Sequence, residues 1–130
     1  METLLPVLDR ASDHVVQEIK RTYPMNSRQV ATELIGRLGV SLATAIGGST
    51  DARRAHAWAR GEKPQREIAL KHALQATVAI AARFDDEAAR AWFASSNIDL
   101  GMKSPTTFIR DANTETDYIR LVSVAIQDAS

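Results

Sequence analysis

Apolar residues along this chain recur at the spacing of an α-helix, and no stretch alternates as a β-strand does. The clearest case is near the C-terminus, where one face of a predicted helix follows i, i+3, i+4, i+7 and i+8. That face consists of Tyr118, Leu121, Val122, Ala125 and Ile126. A first helix is predicted from Leu4 or Leu8 to Thr22, and Pro24 ends it. The pattern therefore predicts an all-α protein.

Capping residues and glycines mark the ends of the other predicted helices. The expected N-caps are Ser27, Ser41, Thr50, Ser104 and Thr114. Gly39, Gly47 with Gly48, and Gly61 are expected to end three of these helices. Another helix starts at Asp85–Glu87, where carboxylates favour the helix dipole. With the first helix and one central helix, eight helices are expected.

The central helix spans about Gln65–Arg83 and is rich in alanine. Small side chains let helix axes approach closely, so this helix is expected to pack at the centre of the fold. We divide the chain at this point. Residues 1–64 are expected to form the N-terminal helices, and residues 65–130 a connecting helix with a small C-terminal domain.

Composition narrows the function classes. The chain has no cysteine, which excludes disulfides, thiol catalysis and thiolate metal sites. Its start lacks a basic segment followed by an apolar run, so we expect no signal peptide and a soluble, cytoplasmic protein away from membranes. Charge is uneven, with 12 Lys/Arg against 8 Asp/Glu up to Phe84 and 4 against 8 afterwards. The basic N-terminal part and the acidic C-terminal part suggest two different partners.

A short helix, a glycine turn and a second capped helix between Val40 and Pro64 are the outline of a helix-turn-helix. In that motif the second helix enters the major groove of DNA, and its N-terminal residues meet base edges. Ala52, Ala55 and Trp58 are expected to face the core. The candidate DNA-binding residues are Thr50, Arg53, Arg54, Ala57, Arg60 and Lys63.

This stretch resembles the Xre or lambda-repressor-like helix-turn-helix family. The reading helix of that family often ends in tryptophan followed by glycine, glutamate and proline, as Trp58, Gly61, Glu62 and Pro64 do here. The spacing from Gly48 to Trp58 is one residue longer than the usual pattern. The alternative is a structural helix-turn-helix whose arginines are simply solvated.

The segment from Ala91 onward resembles the toxin-binding domain of the Xre/MbcA/ParS antitoxins. The family pattern of tryptophan, PN, LGG, TP and aliphatics is matched by Trp92, Asn97, Leu100, Gly101, Pro105 and Ile109. Ser96, Met102, Ser104 and Phe108 depart from it. The resemblance covers about Val40 to the C-terminus, and the first helix lies outside it.

The resemblance implies an oligomeric antitoxin, at least a homodimer, whose partner is a RES-domain toxin that consumes NAD. It implies that the C-terminal part covers the toxin's active-site entrance and that the N-terminal part represses the shared operon by binding operator DNA. Trp92 is interpreted as core, and Asn97 as bonded to backbone in its turn. The candidate toxin-binding residues are Asn97, Asp99, Met102, Lys103, Asp128, Ala129 and Ser130.

Catalysis finds no support in the sequence. His14, His56 and His72 fall on three different predicted helices, without the i, i+4 spacing of a metal site. No phosphate-binding loop and no nucleophile with a base partner is found. We therefore expect no enzyme activity, no metal and no cofactor.

Two rival functions remain open. One is a stand-alone helix-turn-helix transcriptional regulator without a toxin partner, which would bind an operator tightly and with salt sensitivity. The other is a purely structural interaction protein whose helix-turn-helix does not read DNA. Loss of DNA affinity on removal of Arg53 and Arg54 separates these two.

Overall fold

A computed structural model describes residues 4–130, and within that range the chain is all-helical, with no strand. These described residues form nine α-helices and one 3₁₀ turn, Ile98–Leu100. The helices are α1 (Leu5–Leu8), α2 (Asp13–Arg21), α3 (Ser27–Leu38), α4 (Val40–Ile46), α5 (Ala52–Ala59), α6 (Glu67–Arg83), α7 (Asp86–Ala94), α8 (Pro105–Asp111) and α9 (Glu115–Asp128). None of the helices described here is both long and apolar enough to cross a membrane.

The first predicted helix is two helices, so the expectation of one continuous helix was wrong. Ser12 is in an extended conformation between them, and its hydroxyl accepts the backbone N–H of Val15 at 3.3 Å. A serine whose hydroxyl accepts a backbone N–H three residues further along the chain favours the start of a helix over its interior. The apolar periodicity continues across this break, which is why it did not reveal the break.

Two predicted N-caps, Ser104 and Thr114, and the predicted helix start at Asp85–Glu87 are confirmed. Ser104 accepts the N–H of Thr107 at 3.1 Å, and Pro105 follows as the first residue of α8. Thr114 accepts the N–H of Asp117 at 3.2 Å at the start of α9. Asp85 caps α7 in the same way, so cap chemistry placed these helix starts correctly.

Other helix starts are shifted. Asn26, not Ser27, caps α3, because Asn26 and Gln29 form a reciprocal capping box. Asp51, not Thr50, caps α5. Ser41 lies inside α4, which begins directly after Gly39, and α6 begins two residues later than expected.

Helix α6 lies at the centre of the fold, as its alanine content predicts. It packs against α2, α3, α7 and α9. Its buried small residues let these helices approach closely, and Ala73, Ala76 and Ala79 are almost fully shielded from solvent. The rest of the protein is therefore assembled around this helix.

The N-terminal helices pack on the C-terminal half of the chain. Helix α2 lies against α6, and α1 contacts α9. Buried residues from both sides of the 64/65 boundary belong to one continuous apolar cluster. The division into two domains stays a prediction. Because the core is continuous, that division can be tested by whether the two parts unfold separately.

Candidate functional site

The helix-turn-helix candidate is built from α3, α4 and α5, which pack on one another. Its turn holds the ring of Trp58, a side chain only 4% exposed. A Cβ placed on Gly47 would overlap with Cη2 of Trp58, so no larger residue fits there unless the ring moves. Only glycine at this position lets the ring of α5 pack against the end of α4, and this contact sets the packing of the two helices.

Five of the six candidate DNA-binding residues are exposed, on α5 or beside it. They are Thr50, Arg53, Arg54, Arg60 and Lys63. Ala57 is half-buried, whereas Ala55 and Trp58 face the core as expected. Ala52 is exposed, so its expected core position was wrong. It is the first residue of α5, one turn short of the core contacts made by Ala55.

His56 also lies exposed on α5, three residues after Arg53, and sequence reasoning left it out of the DNA-binding set. Residues three apart on a helix share a face, which is the signal that would have included it.

From Thr50 to Lys63 there are four Lys/Arg and two Asp/Glu, a difference of +2. The surface is therefore modestly basic.

Arg53 is held by Asp51. The backbone N–H of Arg53 donates to Asp51 Oδ1 at 3.0 Å, which is the N-cap bond of α5. The Arg53 Nε lies 3.1 Å from Oδ1 and 3.2 Å from Oδ2, and Nη2 donates to Oδ2 at 2.9 Å. These bonds lower the pKa of the Asp51 carboxyl and raise the pKa of Arg53. One edge of the Arg53 guanidinium is thus occupied by Asp51.

Arg54 is held differently. Its Nη2 donates to Oε1 of Glu62 at 2.7 Å, and Glu62 lies beyond the C-terminal end of α5. The side chain of Arg54 therefore runs along the helix toward its C-terminal end. An exposed ion pair of this kind contributes little to stability, so Arg54 can exchange Glu62 for another anion.

The second candidate surface is the turn between α7 and α8. Asn97 closes it, because its backbone carbonyl accepts the N–H of Met102 and its N–H donates to the Lys103 carbonyl. The Asn97 side-chain oxygen also accepts the N–H of Asp99 at 2.9 Å. This confirms the prediction that Asn97 bonds backbone within its own turn.

Large apolar side chains stand at the tip of this turn. Met102 is 63% exposed, and Ile98 is 79% exposed. Met102 has a φ of +68°, the left-handed conformation that favours glycine, directly after Gly101 at the same angle. Ile98 was missed from the sequence because a single apolar residue between Asn97 and Asp99 carries no periodic signal.

The C-terminal candidates are less free than expected. Asp128 is exposed, but its Oδ2 accepts Nε1 of Trp92 at 2.8 Å and Nδ2 of Asn97 at 3.2 Å. Ala129 is only 6% exposed, because it continues the buried face of α9, so its expected exposure was wrong. Ser130 is exposed, and its hydroxyl donates to the Ile126 carbonyl at 3.0 Å.

The remaining two candidates sit at the edge of the turn. Asp99 is half-buried, and its carbonyl accepts Nη2 of Arg120 at 2.7 Å. Lys103 is exposed, with its Nζ 4.0 Å from Asp111. The turn and the end of α9 therefore form one surface, joined through Asn97 and Asp128.

Arg66 connects the C-terminal ends of α4 and α8. Its Nη1 donates to the carbonyl of Ile46, the last residue of α4, at 3.1 Å. Its Nη2 donates to the carbonyls of Ile109 and Ala112 at the end of α8. One guanidinium thus donates to carbonyls at two helix ends, and the Ile109 carbonyl also accepts the N–H of Ala112.

The three histidines lie on α2, α5 and α6, as expected. His72 stacks on Tyr118 with ring centroids 5.5 Å apart, and burial lowers its pKa. Among residues 4–130 no group of three His, Asp or Glu side chains is placed to hold a metal ion.

Comparison of the chain with protein-family models gives no match. Comparisons with curated proteins and with solved structures give no match either.

Proposed function

We propose that this protein is the antitoxin of a type II toxin–antitoxin system. In this proposal it binds a RES-type, NAD-consuming toxin, occludes the toxin's active site, and represses its own operon by binding operator DNA as a homodimer or larger oligomer. It acts by blocking access and catalyses nothing itself. The observation that carries the proposal is the exposed apolar tip formed by Ile98 and Met102.

Met102 is energetically unfavourable in two respects. The left-handed backbone conformation destabilises a residue other than glycine, and an exposed large apolar side chain contributes no burial energy on folding. Strained backbone persists where the surrounding structure enforces it, and such positions cluster at binding sites. Contact with a partner protein gives this side chain a role that folding does not.

Charge beside the tip supports the same partner. Asp99 and Asp128 lie next to the turn, in the half of the chain that carries four more acids than bases. A toxin that binds a dinucleotide needs a basic cleft for its phosphates, and an acidic surface complements such a cleft. The proposed contact residues are therefore Asn97, Ile98, Asp99, Met102, Lys103, Asp128 and Ser130, with Ala129 supporting them from the core.

The test is capture of the partner by tagged protein from its native cell lysate, with mass spectrometry of what is retained. We expect one stoichiometric protein that consumes NAD once it is released. The variant Met102→Asp should lose this protein, since aspartate tolerates the left-handed conformation but removes the apolar contact. The control is Ile68→Asp, which changes an equally exposed apolar residue on α6, away from the turn.

Retention of the NAD-consuming protein by Met102→Asp would refute binding through this turn. Removal of Asp128–Ser130 is a poor test, because Ala129 is buried and Asp128 bonds Trp92. Asp128→Asn is better, since the amide oxygen can accept the same bonds without the charge. It should weaken toxin inhibition while the melting temperature stays the same.

A stand-alone transcriptional regulator is the second candidate, favoured by the exposed basic side of α5. Both functions predict DNA binding that falls steeply with salt and is lost in Arg53→Ala with Arg54→Ala. They differ in the lysate experiment, where the regulator would retain no stoichiometric partner. Fluorescence anisotropy with the DNA upstream of its own gene measures the shared step.

A further inference from the structure

We propose that Asp51 is a positioning residue, which aims the guanidinium of Arg53 at a guanine in the major groove. This inference rests on the DNA-binding part of the proposed function and names the base that the site reads. It assigns the reading of that base to Arg53 alone, with Arg54 as a phosphate contact.

The geometry begins with the helix cap. Asp51 is fixed because Oδ1 accepts the backbone N–H of Arg53, and this bond starts α5. This bond restrains the carboxylate before any DNA arrives. The Nε and Nη2 of Arg53 bond the two oxygens of that carboxylate, so the paired arrangement favours one orientation of the guanidinium.

The remaining edge of the guanidinium suits guanine. Arginine carries five N–H donors, and Asp51 occupies those on the side of Nε and Nη2. Donors on Nη1 and the outer side of Nη2 stay open, and the Arg53 side chain is 90% exposed. Two donors side by side match O6 and N7 of guanine, the commonest specific base contact of arginine.

The position on the helix agrees with this role. Arg53 is the second residue of α5, and the first residues of a reading helix are those that meet base edges. Arg54 extends instead toward Glu62 beyond the other end of the helix. It is therefore placed beside the backbone of the DNA rather than at a base.

Asp51 should provide orientation and not affinity. Its carboxylate brings negative charge toward the phosphates of DNA, which opposes binding to any sequence. Replacement by asparagine keeps an oxygen for the N-cap bond and removes the charge. Asp51→Asn should therefore bind random DNA more tightly, while its preference for guanine falls.

The experiment is selection of bound sequences from a random duplex pool, with sequencing and with affinities measured by anisotropy. The full chain should select one guanine in each half-site, at least about tenfold over the other bases. Arg53→Ala should lose the preference, and Asp51→Asn should reduce it to about threefold or less. The matched control is Glu62→Gln, which removes one charge and frees Arg54 but should leave the guanine preference unchanged.

Each contrary result has its own meaning. If Asp51→Asn keeps the full guanine preference, or if Arg53→Ala does, the positioning role is refuted. If Glu62→Gln loses the preference equally, the effect belongs to surface charge and the proposal fails. If the wild-type chain retains no DNA at any salt concentration, DNA binding itself is refuted, whereas capture of a partner through Met102 would be unaffected.

Discussion

Met102 is a residue at which stability and partner binding should change in opposite directions. Its left-handed backbone costs a non-glycine residue about 1 kcal/mol or more. Met102→Gly should therefore raise the free energy of unfolding by about 1 kcal/mol and weaken partner binding. Met102→Ala keeps the strain, so it should weaken binding with little change in stability. Urea denaturation of the two variants measures the difference, and an equal stability of both would contradict the strain.

Gln75 and Thr22 form a buried polar pair whose two members should respond differently to mutation. The Gln75 Nε2 donates to the Thr22 hydroxyl at 3.3 Å, while the Gln75 Oε1 is buried without a partner. Gln75→Met removes that unpaired oxygen and should leave stability unchanged or raise it by up to about 1 kcal/mol. Thr22→Val leaves the buried amide without an acceptor and should cost about 1–3 kcal/mol.

Thermal unfolding of the single variants and of the double variant checks this pair. The double variant should be more stable than Thr22→Val alone, because no amide is then left without a partner. A double variant less stable than Thr22→Val would mean that Gln75 is held by packing and not by its hydrogen bond.

At the scale of helices, the contact between Trp58 and the turn makes Gly47 irreplaceable. Gly47→Ala places a methyl group against the ring and should destabilise the protein by about 1–3 kcal/mol. Gly36→Ala is the matched control, because nothing lies within 4 Å of its added Cβ inside α3. That variant should gain up to about 1 kcal/mol from helix propensity. Equal melting temperatures for the two variants would show that the ring moves aside freely.

Arg66 should hold the ends of α4 and α8 together by more than its charge. Arg66→Lys keeps the charge but cannot reach three carbonyls with a single ammonium group, so most of the bonding is lost. Hydrogen bonds from charged groups contribute about 1.5–3 kcal/mol, and both Arg66→Lys and Arg66→Ala should lose about that much. Urea denaturation measures it. Wild-type stability in Arg66→Lys would show that charge alone suffices.

Helix existence was predictable from the sequence, and helix starts were predictable where a second signal accompanied the cap residue. Ser104 is followed by Pro105, Thr114 has Asp117 three residues on, and both are N-caps in the structure. At Asn26–Ser27 and Thr50–Asp51 two good caps are adjacent. In the structure the N-caps are Asn26 and Asp51, whereas Ser27 and Thr50 were predicted.

For the candidate site, the sequence predicted which residues are exposed but not which side chains bond to one another. Exposure of Arg53 and Met102 follows from helix phase and from turn composition. The pairing of Arg53 with Asp51 depends on side-chain rotamers, and the contacts of Arg66 depend on how distant helices meet. Neither is recorded in residue spacing, so both had to come from the structure.

The whole molecule should unfold as one unit rather than as the two domains suggested by its sequence pattern. Ile19 and Leu34 lie on α2 and α3, which pack against α6, and both are fully shielded from solvent. Burial of each such side chain contributes about 1.5–3 kcal/mol, against a total stability of about 5–15 kcal/mol for a domain. Residues 1–64 alone would expose these faces and are expected to be unfolded.

The two tryptophans report on the two halves separately. Trp58 lies on α5, and Trp92 is bonded to Asp128 at the end of α9. In Trp92→Phe the fluorescence follows Trp58, and in Trp58→Phe it follows Trp92. Within each variant, urea transitions from fluorescence and from far-ultraviolet circular dichroism should coincide, because the core runs through both halves. Separate transitions, with the Trp58 region unfolding on its own, would instead establish a domain boundary near residue 64 and let α3–α5 move relative to the turn between α7 and α8.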